Sequence, residues 1–199
     1  RRPPSSTLFP DTALFRSILS QPVSRTVYDG TNVSFAVTAV GTAPLGYRWL
    51  RDGTNLALET SPTLAFTNVT LGESGNYAVA ISNVVGSITS SVATLTVQAV
   101  PPFILTQPVG RTVNDGDNVT FTVAAGGTAP LTYAWARNGL ALAGATNTSL
   151  ALSNVAVSAG GNYAAVVSGL GGAITSQVAV LVVLPVPPSL VSQPVSLIT

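Results

Sequence analysis

Apolar residues recur at every second position in short runs along this chain. Val33, Phe35 and Val37 share one parity, as do Leu45, Tyr47 and Trp49, then Leu64 and Phe66, then Tyr77, Val79 and Ile81. A period of two is what a half-buried strand requires, because successive side chains leave opposite faces of the pleated backbone. Ser34, Thr38, Arg48 and Thr67 fall on the opposite parity and are expected to face water. Asp29-Gly30 and Asp52-Gly53 lie between the runs, where turns need residues that tolerate positive φ. Short alternating segments punctuated by turn residues predict an all-β sandwich.

The pattern occurs twice. Gln21-Pro22, Gln107-Pro108 and Gln193-Pro194 are spaced by 86 residues, and so are Gly30 and Gly116, Trp49 and Trp135, Leu64 and Leu150, and Tyr77 and Tyr163. A constant spacing means that no insertion or deletion separates the copies, so the chain is a tandem array. The boundaries that follow are a non-domain segment at residues 1–17, a first domain at 18–99 and a proline-rich linker at 100–103. A second domain at 104–184, a second linker at 185–189 and the opening strand of a truncated third copy at 190–199 complete the division. Within the first domain the opening strand is expected to run unbroken from Ile18 to Val27.

Composition removes most chemistry. Cysteine, histidine and methionine are absent, which excludes disulfides, thiolate nucleophiles, imidazole bases and the usual zinc or copper ligands. The seven carboxylates include no pair that the repeat would place on one concave face, and no glycine-rich phosphate loop opens a helix. The expectation is therefore a non-enzyme with no catalytic, cofactor-binding or metal-binding residues and no cofactor. Charged residues are 8% of the chain and the net charge is +1, so no basic field exists to attract nucleic acid. Although mean hydropathy is positive, the longest apolar run, Val178 to Leu184, ends at Pro185, far short of the ~18 residues of a membrane span. All eight basic residues are arginine beside abundant Ala, Gly and Val, a composition that favours a GC-rich, bacterial gene.

Three groups of residues invite a sharper reading. Trp49, Trp135, Tyr47 and Tyr133 could form a sugar-stacking platform, but their strand parity points them inward. Asn114-Asp115-Gly116-Asp117-Asn118 carries oxygens enough to suggest calcium, yet it lacks further acidic ligands and reads as a turn. Asn32, Asn68, Asn118 and Asn147 each begin an Asn-X-Ser/Thr triplet, which a Thr- and Ser-rich β protein produces by chance.

Taken together, Trp49 and Trp135 on the third strand, Tyr77 and Tyr163, and the turn Glu73-Ser74-Gly75-Asn76-Tyr77 resemble the immunoglobulin superfamily, in particular its I-set type. The resemblance covers residues 18–184 and implies two tandem immunoglobulin-like Greek-key β-sandwiches plus the orphan strand of a truncated third. Ser158-Ala159-Gly160-Gly161-Asn162-Tyr163 in the second copy lacks the acid of the turn. Val37 with Val79, and Val123 with Ala165, stand where the family carries its inter-sheet cysteines. Losing such a bridge typically costs ~2–5 kcal/mol. Trp49, Tyr77, Val37 and Val79, and Trp135, Tyr163, Val123 and Ala165, are the structural core expected to compensate. Because Ala165 is smaller than Val79, the second core is expected to be looser there or filled by a neighbour.

Val100-Pro101-Pro102 and Val186-Pro187-Pro188 favour stiff, extended connections, so repeated domains are expected to form a rod. Residues 7–17 match the translation of a common sequencing adapter at all but two positions. Translated adapter and natural linker both remain open readings of residues 1–17. The functional expectation is a non-catalytic structural or adhesive spacer of a larger exported surface or extracellular protein. Its partners would be neighbouring repeats of the same chain and an unidentified protein or glycan ligand. An accessory module of a secreted polysaccharide-degrading enzyme and a subunit of an extracellular filament are the alternatives.

Overall fold

The computed structural model describes residues 16–189. The chain divides into two compact units between Ala99 and Val100. Strands of unit one are β1 (Arg16–Ser20), β2 (Arg25–Tyr28), β3 (Val33–Ala36), β4 (Thr38–Gly41), β5 (Gly46–Arg51), β6 (Thr54–Asn55), β7 (Thr63–Phe66), β8 (Gly75–Asn83), β9 (Gly86–Thr89) and β10 (Ala93–Gln98). Those of unit two are β11 (Phe103–Thr106), β12 (Arg111–Asn114), β13 (Val119–Thr122), β14 (Ala124–Gly126), β15 (Thr132–Arg137), β16 (Leu140–Ala141), β17 (Ser149–Leu152), β18 (Gly161–Gly169), β19 (Gly172–Thr175) and β20 (Ala179–Leu184).

Each unit is a sandwich of two sheets. In unit one, one sheet runs β2-β10-β8-β5-β6, with β9 also paired to β8, and β2 lies parallel to β10. Facing it, β1 pairs with β4 and β3 pairs with β7. Unit two repeats this arrangement as β12-β20-β18-β15-β16 opposite β11-β14 and β13-β17. Positive φ at both Asp52 and Gly53, and at Asn138 and Gly139, forms the tight turns from β5 to β6 and from β15 to β16.

The opening strand is not continuous. It breaks after Ser20, and β1 joins one sheet while β2 joins the other. Proline supplies the reason, since Pro22 has no N–H to give to a ladder and the chain must cross between sheets there. Gln21 secures the crossing by accepting the Ser91 amide proton on Oε1 at 2.8 Å, and Gln107 does the same for Gln177 at 2.8 Å. The Gln-Pro pair that marks the repeat is thus a strand-switch device. Strand β1 begins at Arg16, so residues 16 and 17 pair within the first sandwich. Residues 1–15 and the expected third-copy strand at 190–199 lie outside the described residues.

The first linker is held by unit two. Val100 donates its amide to Thr128 Oγ1 at 2.8 Å and accepts the Thr128 amide at 3.0 Å, and Pro102 is buried. Gly171 makes room for the chain, for a Cβ there would sit 2.7 Å from Pro101 Cα. The equivalent residue of unit one is Val85. Gly171→Val is expected to lift Val100–Pro102 off unit two and break the pair with Thr128. A net hydrogen bond is worth ~0.5–1.5 kcal/mol, so amide exchange at Val100 should quicken by up to about tenfold. Unchanged exchange would show that Val100 is held by other contacts.

Candidate functional site

The residues singled out by sequence lie inside the sandwiches. Trp49, Tyr77, Val37 and Val79 are buried in unit one, and Trp135, Tyr163, Val123 and Ala165 in unit two. Strand alternation puts them there: Trp49 stands opposite Val79 across β5 and β8, and Trp135 opposite Ala165 across β15 and β18. Phe35 lies 6.3 Å from the Trp49 ring and 5.2 Å from the Tyr77 ring, and Phe121 repeats both contacts at 6.3 and 5.0 Å. Each indole donates its Nε1 proton at 2.9 Å, Trp49 to the Ser61 carbonyl and Trp135 to the Asn147 carbonyl. Such rings cannot stack a sugar, because neither face is open. Tyr47 and Tyr133 are half-buried and pack against the same cores.

Tyr77 donates its phenol proton to the Glu73 carbonyl at 2.7 Å, and Tyr163 donates to Ala159 at 2.8 Å. Burial pushes the Tyr77 phenol above its ordinary value of 10.0, with Arg51 opposing the shift and Glu73 and Asp52 adding to it. As pH rises past the unfolded value, the unfolded state releases this proton first, so stability present below pH 10 is lost above it. Unit one should accordingly unfold more readily as pH climbs beyond about 10, and Tyr77→Phe should flatten that slope. Denaturant midpoints measured against pH read the effect.

Two polar contacts went unseen in the sequence, although both keep the 86-residue period. Arg51 donates to the Gly72 and Ser74 carbonyls, and Arg137 to those of Ser158 and Gly160, tying the end of the third strand to the turn before the tyrosine. Ser90 is buried and its Oγ accepts the Val79 amide proton at 3.0 Å, while Ser176 Oγ accepts that of Ala165 at 2.9 Å. These hydroxyls satisfy the backbone where β9 gives way to β10 and β19 to β20. Ser90→Ala leaves a buried N–H unpaired, so unit one should lose ~1–3 kcal/mol in urea unfolding. A loss under about half a kcal/mol would mean that water replaces the hydroxyl.

The acidic turn of unit two is occupied by backbone contacts. Asp117 Oδ2 accepts the Asn114 amide at 2.8 Å, Asp115 Oδ1 accepts that of Val157 at 3.1 Å, and Asn118 Oδ1 accepts that of Asn154 at 2.9 Å. In unit one Glu73 Oε2 takes the Thr70 amide at 2.5 Å; Ala159 stands at Glu73's position in unit two, and Asp115 reaches the same turn from elsewhere. Among the described residues, no group of three or more acidic side chains is placed to hold a metal ion. No helix among them is long and apolar enough to cross a membrane.

Comparison with known proteins agrees with this geometry. The immunoglobulin I-set domain family matches residues 16–97, and the immunoglobulin domain family matches residues 101–168. The human peroxidasin homolog is 33% identical over 127 residues, which is 60% of this chain and 8% of that protein. Endoglucanase C of Cellulomonas fimi is 26% identical over 175 residues, 83% of this chain and 16% of the enzyme. The chain thus spans a small part of the relatives it matches. Among solved structures, the titin domains z1z2 in complex with telethonin superpose with a TM-score of 0.61 at 23% identity, covering 86% of this chain and 98% of that one, a likeness of fold.

Proposed function

The chain belongs to the immunoglobulin superfamily, as two I-set-like β-sandwiches without cysteine, and we propose that it is a non-catalytic structural and adhesive spacer within a larger exported protein. One observation carries this reading. The side chains kept at the 86-residue spacing, Trp49 with Trp135, Tyr77 with Tyr163, Arg51 with Arg137 and Ser90 with Ser176, all serve the sandwich itself. What the array repeats is a folded block and not a reaction centre. Fold alone does not assign function, so the adhesive part rests on analogy with the immunoglobulin superfamily. Antibodies raised against residues 16–189 should label intact source cells or their matrix. Signal that appears only after permeabilisation overturns the proposal.

A second reading is favoured by the likeness to endoglucanase C, in which the two sandwiches would be accessory modules of a secreted polysaccharide-degrading enzyme. Retention of the chain on insoluble cellulose, lost in soluble competitor, would favour this reading over the first. The filament reading depends on residues 190–199 and gains no support from the described part.

A further inference from the structure

Asn138-Gly139 is the single Asn-Gly pair of the sequence, and it forms the two-residue turn between β15 and β16. Unit one closes the same turn with Asp52-Gly53. The backbones agree, with φ of 48° and 81° in unit one and 51° and 81° in unit two. The side chains are held alike as well, since Asn76 donates its amide proton to Asp52 Oδ1 and Asn162 donates to Asn138 Oδ1, both at 2.9 Å. They differ at the second arm. Asp52 Oδ2 pairs with Arg51 Nε at 3.7 Å. In Asn138 that arm is an NH2 group, which only donates, and Arg137 Nε is buried with no acceptor among the described residues.

We propose that Asn138 is a self-modifying site, whose amide is converted by water to the carboxylate that unit one carries at Asp52. The Gly139 nitrogen attacks Asn138 Cγ and a new N–Cγ bond forms. The Cγ–Nδ2 bond breaks, and Nδ2 leaves as ammonia with the proton given up by the Gly139 nitrogen. Water then opens the five-membered imide, its hydroxyl staying on Cγ and its proton returning to the Gly139 nitrogen. One water is consumed and one ammonia released, with nothing oxidised or reduced.

The turn is arranged for these steps. Both residues are exposed, so water reaches them. Gly139 brings no side chain over its own nitrogen, a Cβ there would meet nothing within 4 Å, and its N–H donates to no group among the described residues. Asn162 N–H sits at Oδ1, where negative charge gathers as the nitrogen adds to Cγ. In the imide the same donor polarises the Cγ carbonyl and directs water there. Opening at the backbone carbonyl would instead give isoaspartate, which adds a carbon to the main chain of a turn built for two residues. Asn154 supplies an internal contrast, for it shares the φ of 51° but precedes Val155, which is buried and donates its amide to the Asp117 carbonyl at 2.9 Å. The inference goes beyond the spacer reading and stands or falls separately from it.

Peptide mapping by mass spectrometry tests it on the whole chain, held folded in mildly alkaline buffer. Asn138 should convert at least about tenfold faster than Asn154, with aspartate as the main product. The Asn138→Asp variant should coelute with the new acidic species on anion exchange. At low salt it should also unfold at higher urea than the wild type, by a margin that shrinks as salt screens the new pair with Arg137. Equal rates at Asn138 and Asn154, or isoaspartate as the main product, overturn the proposal. An Asn138→Asp variant that unfolds at no higher urea than the wild type overturns it as well, because the carboxylate then gains nothing from Arg137.

Discussion

Trp135→Ala should lower the stability of unit two by about 3–5 kcal/mol, and Trp49→Ala should do the same to unit one. The indoles are fully buried, each touches a phenylalanine ring, and each gives its only proton to a loop carbonyl. Removal therefore opens a large cavity and strands an acceptor in both cases. A sandwich of roughly 80 residues has a net stability of only ~4–12 kcal/mol. Either variant thus brings its unit near the point of unfolding at ordinary temperature. The chain holds two tryptophans, one in each unit, so the remaining indole reports the unmutated sandwich alone. In Trp135→Ala, Trp49 fluorescence should keep the wild-type urea midpoint while circular dichroism shows an early loss of strand signal. A destabilisation below about 1 kcal/mol would mean that the indole is not what holds the sheets together.

Much of the fold could be read from the chain because strand parity, turn residues and the repeat agree with one another. Trp49, Tyr77, Val37 and Val79 all sit on one parity, and a period-two pattern gives each of them a single face. The break at Gln21-Pro22 was legible in the sequence, for proline disfavours a ladder position, and Ile18 and Val27, which both pack against the core, fall on opposite parities of a single strand. Ser90 and Ser176 escaped notice for a different reason. A serine inside an alternating run looks like solvent-facing surface, and only the interruption of the strand reveals that its hydroxyl turns inward to a backbone amide. Arg51 and Arg137 likewise sit on the inward parity beside their tryptophans, where an arginine makes sense only once the turn carbonyls beyond the strand end are in place. The apolar outer row of β20 is visible in the sequence as the run from Val178 to Leu184, too short for a membrane span and long enough for a strand apolar on both faces.

Restoring the residue of unit one to the core of unit two, Ala165→Val, should stabilise unit two. The two cores share one aromatic frame, since the phenylalanine-to-tryptophan distance is 6.3 Å in both and the phenylalanine-to-tyrosine distances are 5.2 and 5.0 Å. Around that frame unit two carries smaller side chains, with Ala165 for Val79, Val167 for Ile81 and Leu152 for Phe66. The rings have not closed in by the width of the missing methyl groups. Both Val79 and Ala165 receive the same serine hydroxyl on their amides, so the backbone at the two positions is set alike and a β-branched residue suits the strand. Two added carbons at ~0.8 kcal/mol each give up to about 1.5 kcal/mol, or a rise in melting temperature of several degrees for a domain of this size. The reverse change, Val79→Ala, should cost unit one more than Ala165→Val returns, because deletion adds a cavity to the lost transfer energy. If neighbours have already filled the space beside Ala165, the extra methyls will overpack the core and the sign will invert, with a loss of ~1–3 kcal/mol. Calorimetry of the two variants decides between a core that is loose at Ala165 and one that has repacked around it.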